Sequence, residues 1–139
     1  MTYTNEANHR SAMVAAWIAD IDNGAVGSGG YGCWETSGDV IVASVQFDDP
    51  CATETPAGTA TISSAPLSDT NAAGGTVEHF SIYDNTGAFE SKTGKVLEIS
   101  CQTGAADNVI QMSTLSVPAS ATVTLTSLTW TYPSSVATA

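Results

Sequence analysis

Residues 74–132 read GGTVEHFSIYDNTGAFESKTGKVLEISCQTGAADNVIQMSTLSVPASATVTLTSLTWTY, a succession of short β-branched and aromatic runs broken by Gly, Asn, Asp and Pro. Runs of that length with that punctuation predict the strands of an antiparallel sheet. In Val77–Asp84, Phe80 and Ile82 share one face with Glu78 and Asp84, while Val77, His79, Ser81 and Tyr83 take the other. Apolar side chains on both sides of a period-two pattern predict a strand covered on both faces. Asp84-Asn85-Thr86-Gly87 tolerates the positive φ of a hairpin turn and predicts a partner strand over Ala88–Ser91. Val96–Cys101 and Val109–Met112 predict two more strands with a polar loop between them. Val117-Pro118-Ala119-Ser120 predicts a turn, because Pro cannot donate to a ladder.

The last run carries a phase change. Val123 and Leu125 lie opposite Thr122, Thr124 and Thr126, but after Ser127 the apolar set becomes Leu128, Trp130 and Tyr132. A one-residue slip carries every later side chain across the sheet, so the pattern predicts a β-bulge near Thr126 or Ser127, or burial of both faces.

Upstream, Thr4 is the predicted N-cap, Glu6 stands in the first turn, and Asn23-Gly24 supplies the stop. Between them Arg10, Met13, Val14, Trp17, Ile18 and Ile21 recur at steps of three and four, which predicts an amphipathic helix within residues 1–23. Its apolar stripe has two destinations. It covers one opening of the β domain, or it docks on a neighbouring subunit; Met13, Trp17, Ile21 and Trp34 are then the candidate interface residues.

Residues 24–30 are glycine-rich and read as a flexible linker; no Lys-Ser or Lys-Thr follows, so the phosphate-loop alternative fails. Residues 31–139 form the predicted β domain. It opens with a hairpin of Tyr31–Thr36 and Val40–Phe47 about Ser37-Gly38-Asp39, whose second strand is nearly all apolar and so predicted to be central. Thr59–Ser63 reads as an edge strand and Leu67–Gly75 as a polar connection. The fold class expected is all-β: an antiparallel, jelly-roll-like β-sandwich of about eight strands with one N-terminal α-helix.

Composition narrows the function. The chain has 139 residues, enough for one domain. Only 12% are charged, about half the usual share, and they divide as 14 Asp and Glu against 3 Lys and Arg, a net of −11. Such a surface repels phosphate backbones and anionic membranes, so neither nucleic acid nor membrane is an expected partner. Residues 1–6 carry no basic side chain, Asp20 interrupts the apolar stretch 13–21, and no apolar run approaches a membrane span; synthesis and folding in a host cytoplasm are expected.

Cys33, Cys51 and Cys101 lack C-x-x-C spacing and read as buried thiols, the alternative being a Cys33–Cys51 disulfide across the hairpin. Asp48, Asp49 and Glu54 lack the alternating spacing of a calcium loop. His9 and His79 stand in no sequence constellation, and no Gly-x-Ser-x-Gly elbow is present. The expectation is a non-enzyme with no cofactor and no metal.

The order G-T-V-x-x-F-x-I-x-D-N-T-G (75–87), G-K-V (94–96), T-G-x-x-D-x-x-I-Q-M (103–112) and S-A-T-V-T-L-T-S-L-T-W-T (120–131) resembles small structural proteins encoded among the virion genes of tailed bacteriophages. Those proteins also begin with a short helix containing Arg and Ala, as Ala7–Ile21 does; Tyr31–Ala65 fits the pattern least. The resemblance implies a capsid decoration or cement protein that binds the major capsid protein, commonly as a homotrimer, and the acidic, non-basic composition predicts the outside of the shell, away from packaged DNA. A tail or neck component is the alternative within that class. The competing class is a carbohydrate- or host-binding module in which Trp34, Tyr31 or Tyr83 stacks on a sugar ring.

Overall fold

In the computed structural model the apolar stripe of the N-terminal segment forms a helix, α1, over Ala7–Ile21. The structure describes residues 2–4, 6–24, 27–86, 93–133 and 135–137, the first and last of these segments as backbone only. Glu6, not Thr4, is the N-cap; its φ of −64° and ψ of 154° are extended, and its own side chain makes no capping hydrogen bond. Thr4 is drawn off by backbone pairing, since strand β1 (Thr2–Thr4) runs antiparallel to β14 (Ser135–Ala137). The helix ends as expected, where the Asp22 N–H donates to the Ile18 carbonyl at 3.0 Å and Gly24 takes a φ of +137°.

Val14 and Ile21 of α1 are fully buried, while Trp17 and Ile18 are half-buried. The helix rests on β4 (Ala52–Thr55) and β5 (Thr59–Ile62), with the Trp17 ring stacked on Trp130 at 4.7 Å and 13°. Of the two destinations for the stripe, this structure has the helix covering its own β domain.

The residues expected to form a flexible linker are, where described, a packed corner. Gly29 donates to the Phe47 carbonyl at 3.0 Å, and Phe47 donates to the Gly30 carbonyl at 2.9 Å. A Cβ on Gly30 would strike the carbonyl oxygens of Tyr83 and Ile21, so only glycine lets the helix end lie this close to the sheet.

The largest sheet has five strands: β2 (Tyr31–Glu35), β3 (Ile41–Gln46), β8 (His79–Tyr83), β9 (Lys95–Gln102) and β10 (Val109–Gln111), in the order β10-β9-β8-β2-β3. The β2–β3 hairpin turns at Ser37-Gly38-Asp39 as predicted, with the Val40 N–H bonded to Thr36 Oγ1 at 3.2 Å. Yet β3 lies at the edge of the sheet, not its centre. Its apolar residues Val42 and Val45 face the core, and its outer edge is tied down by Ser44 N–H to Asp69 Oδ2 at 2.9 Å and Ala73 N–H to the Val42 carbonyl at 2.8 Å. Strand β8 is buried along its whole length, as the two-sided pattern requires. Strand β10 pairs parallel to β9, against the antiparallel expectation.

The phase change near Ser127 is a change of sheet. Val123–Leu125 (β12) pairs antiparallel with Leu67–Asp69 (β6), whereas Thr129–Thr131 (β13) pairs antiparallel with β5. The residues between leave one ladder and join the next, so each half keeps its own register. Leu67–Gly75, expected as a connection, thus contains a strand, and β5, expected at an edge, lies between β13 and β4. A last pair joins Gly75–Thr76 (β7) to Ser116–Val117 (β11). The expected strand Ala88–Ser91 falls outside the described residues. The architecture among the described residues is therefore β-rich, several mostly antiparallel sheets with one helix. The helix, the five-stranded sheet and the β4–β5–β13, β6–β12 and β7–β11 ladders contribute to one apolar cluster that includes Val14, Trp34, Val42, Phe47, Ile62, Phe80, Ile82 and Leu125.

The three cysteines are buried and form no disulfide with one another. Burial pushes the Cys101 thiol up to about 12, and burial with the Asp22 charge raises Cys51 further. Thiolate, the reacting form, is thus suppressed at ordinary pH. A thiol reagent at pH 8 is expected to leave the native protein unlabelled and to modify 3 cysteines per chain in denaturant. Labelling of one thiol in the native state at the denatured rate would contradict that burial.

Candidate functional site

Two features stand out once the registers are known. The first is an uncharged face. In β4, β5 and β13 the outward positions are threonines, and the pairing aligns them as Thr53↔Thr61↔Thr129 and Thr55↔Thr59↔Thr131. Hydroxyl contacts of 3.2 Å for Thr59–Thr131 and 3.5 Å for Thr61–Thr129 tie the rungs together, and Thr53 Oγ1 reaches Ser63 Oγ at 3.3 Å. The inward positions of the same strands, Ala52, Ala60, Ile62 and Trp130, face the core and α1. The strand alternation therefore divides these residues by chemistry: six hydroxyls outside, and inside apolar side chains with the half-buried Glu54 of β4 among them.

The second feature is a polar cluster at one end of the five-stranded sheet. Glu35 ends β2, and its register partner on β8 is His79. Asp39 joins them from the β2–β3 turn, held at a φ of +61°, while Lys95 and Glu98 come from β9. Glu35 is fully buried and His79 only 7% exposed. The imidazole Nε2 lies 2.9 Å from Asp39 Oδ1, 3.6 Å from Glu35 Oε2 and 3.8 Å from Glu98 Oε2. None of these approaches has the alignment of a hydrogen bond, so Nε2 is buried without one.

The other side of Glu35 is firmly held. The Tyr83 hydroxyl donates to Glu35 Oε1 at 2.7 Å, and burial together with that bond keeps the phenol well above its ordinary range. Lys95 Nζ donates to Glu98 Oε2 at 2.8 Å and lies 3.9 Å from Asp39 Oδ1. Burial pulls the Lys95 ammonium down, but the bond to Glu98 and the charges of Glu98, Glu35 and Asp39 outweigh it, and the net direction is up.

The residues singled out in the sequence are dispersed. Ile21 and Trp34, named there as interface candidates, are buried in the core at 0% and 1% exposure, so neither offers a partner any surface in this conformation. Trp34 packs edge-on to Phe80 at 5.0 Å instead. Trp17 is half-covered by its stack on Trp130, and Met13, at 37% exposure, alone of the four is open to solvent. The sugar-stacking reading loses two of its three rings, because Tyr83 is as buried as Trp34.

His79, read as solitary, sits among three carboxylates; His9 is exposed and makes an edge contact with Tyr132 at 5.8 Å. Asp49 and Glu54, weighed as cation ligands, accept from the Gly27 and Gly58 N–H groups at 3.4 and 3.3 Å. The surface cleft along residues 109–129 is lined by hydroxyl, amide and apolar groups, with no titratable side chain among the described residues that line it.

No family model, no curated protein and no solved structure matches this chain.

Proposed function

We propose that this chain is a structural protein of a tailed-bacteriophage virion, a decoration or cement protein docked on the outside of the capsid shell. The observation that carries the reading is the six-threonine face on a chain of net charge −11. Charged groups are expensive to desolvate and are depleted from interface cores, so a charge-free face is where an acidic protein can be covered. Threonine also suits a rigid docking surface. Its branched Cβ already restricts χ1 in a strand, so little rotamer entropy remains to be lost on contact. The six residues are too few for a whole interface, which takes about 800 Å² per partner, and they form the centre of a larger footprint.

The acidity elsewhere favours the outer surface of a shell, where no packaged nucleic acid has to be met. The partners in this reading are the major capsid protein and further copies of this chain, with a trimer as the form the sequence resemblance implies. The finer architecture belongs to the same proposal: a jelly-roll-like sandwich, supported by inner residues of the small sheets, Ala60, Ile62, Val117, Val123 and Leu125, sharing one core with Trp34 and Phe80.

Cryo-electron microscopy of particles carrying wild-type, Thr61→Lys or Thr131→Glu chains tests both parts. Each substitution is at an exposed position and is expected to change stability by no more than about 0.5 kcal/mol. Wild type is expected to give repeated density on the shell and the charged variants none. Density confined to tail or neck would move the assignment there, and full incorporation of both variants would remove the threonine face from it.

A further inference from the structure

We propose that Glu35, Asp39 and His79 form a divalent-metal site that takes Zn2+. This inference is independent of the virion reading. The ligand atoms of these three residues lie within 4.8 Å of one another. A tetrahedral zinc ion with bonds of about 2.0–2.1 Å holds neighbouring ligands about 3.3 Å apart. The Nε2 separations of 2.9 Å to Asp39 and 3.6 Å to Glu35 bracket that spacing. Small movements of Asp39, half-exposed on its turn, would complete the triangle.

The second observation is the imidazole itself. His79 is more than nine-tenths buried, and its Nε2 aims at the carboxylates with no aligned hydrogen bond. A buried ring nitrogen left in that state is uncommon, and coordination would satisfy it. The surroundings are arranged as they are around metal ligands. Tyr83 anchors Glu35 through Oε1, and Glu35 Oε2 lies 3.6 Å from His79 Nε2. Lys95 pairs with Glu98 at 2.8 Å, and water would supply the fourth ligand of a zinc ion held by the other three residues. The acidic groups Glu35, Asp39 and Glu98 outnumber the ammonium of Lys95, a surplus that suits a dication.

The donor set chooses the ion. One imidazole with two carboxylates suits zinc or manganese, and of the two zinc binds an equivalent nitrogen–oxygen site more tightly. Calcium and magnesium prefer all-oxygen shells. The competing arrangement is an imidazolium neutralised by the acids with no ion present.

Metal-stripped full-length protein titrated with ZnCl2, by calorimetry and by elemental analysis after dialysis, separates the two. One zinc per chain is expected, with a raised melting temperature and little response to Ca2+ or Mg2+. Asp39→Asn removes a ligand charge at an exposed position, and Asn tolerates the positive φ there. It is expected to weaken zinc binding at least about tenfold while melting like the apo wild type. His79→Gln is expected to abolish binding, and His9→Gln to leave it intact. Absence of zinc binding by the wild type, undiminished binding by Asp39→Asn, or loss through His9→Gln would each overturn the site.

Discussion

Trp34→Ala is expected to destabilise the protein by about 3–5 kcal/mol, the cost of emptying a large aromatic from a packed core. The side chain is 1% exposed and lies edge-on to Phe80, with Val42 and Ala43 in the same apolar cluster. Strands β2, β8 and β3 are held in register around it, so the surrounding backbone has little freedom to collapse into the space. For a domain of this length the loss corresponds to a fall in melting temperature of roughly 10–20 °C. That is a large part of a typical stability of about 5–15 kcal/mol. Thermal and urea unfolding followed by circular dichroism measure it. An interface role for Trp34 makes the opposite forecast: an unchanged melting temperature with impaired assembly. Phe is the informative second substitution, because it keeps most of the apolar volume and is expected to recover most of the stability.

Local pattern carried the parts of this fold whose partners are near in sequence. The hairpin of Tyr31–Glu35 and Ile41–Gln46 was legible because the two runs flank a short polar turn, and the helix because its stripe recurs at three- and four-residue steps. Pairings across long separations were not legible. Thr129–Thr131 joins Thr59–Thr61 across some 70 residues. The break in alternation near Ser127 therefore reads in the sequence as a local bulge or as burial of both faces, whereas it marks a transfer between ladders. The six-threonine face follows from the same pairing; in the sequence it is only T-x-T written three times. Apolar content also misled at Val42 and Val45, since a strand can be covered on both faces and still lie at an edge when Asp69 of β6 and Ala73 of the following loop supply the missing partners.

The acidic cluster was hidden for a related reason. Glu35 and His79 are 44 positions apart in the chain and adjacent only through the β2–β8 register. The available hint was that His79, Ser81 and Tyr83 share one face of a strand predicted to be buried on both sides. A histidine on such a face needs a partner, and the strand opposite is where one had to be found.

Deletion of residues 1–23 is expected to abolish cooperative folding. The helix contributes Val14 and Ile21, both without exposed surface, and each fully buried aliphatic side chain is worth about 1.5–3 kcal/mol. The Trp17–Trp130 stack adds about 0.5–1.5 kcal/mol beyond its area. Asp22 adds a further anchor, since its carboxylate accepts the Cys51 N–H at 3.0 Å, and a bond to a charged group is worth about 1.5–3 kcal/mol. These contributions together reach the order of the whole stability of a small domain. Removing them also uncovers Ala60, Ile62 and Trp130 on the inner side of the β4–β5–β13 sheet. The truncated chain is expected to lack a thermal transition and near-ultraviolet dichroism, and to aggregate through the bared face. A truncated chain that melts cooperatively but no longer joins the particle would reverse the assignment: the helix would then be a docking arm folded back on its own domain, and Met13, its exposed large apolar residue, would mark the side that meets the shell.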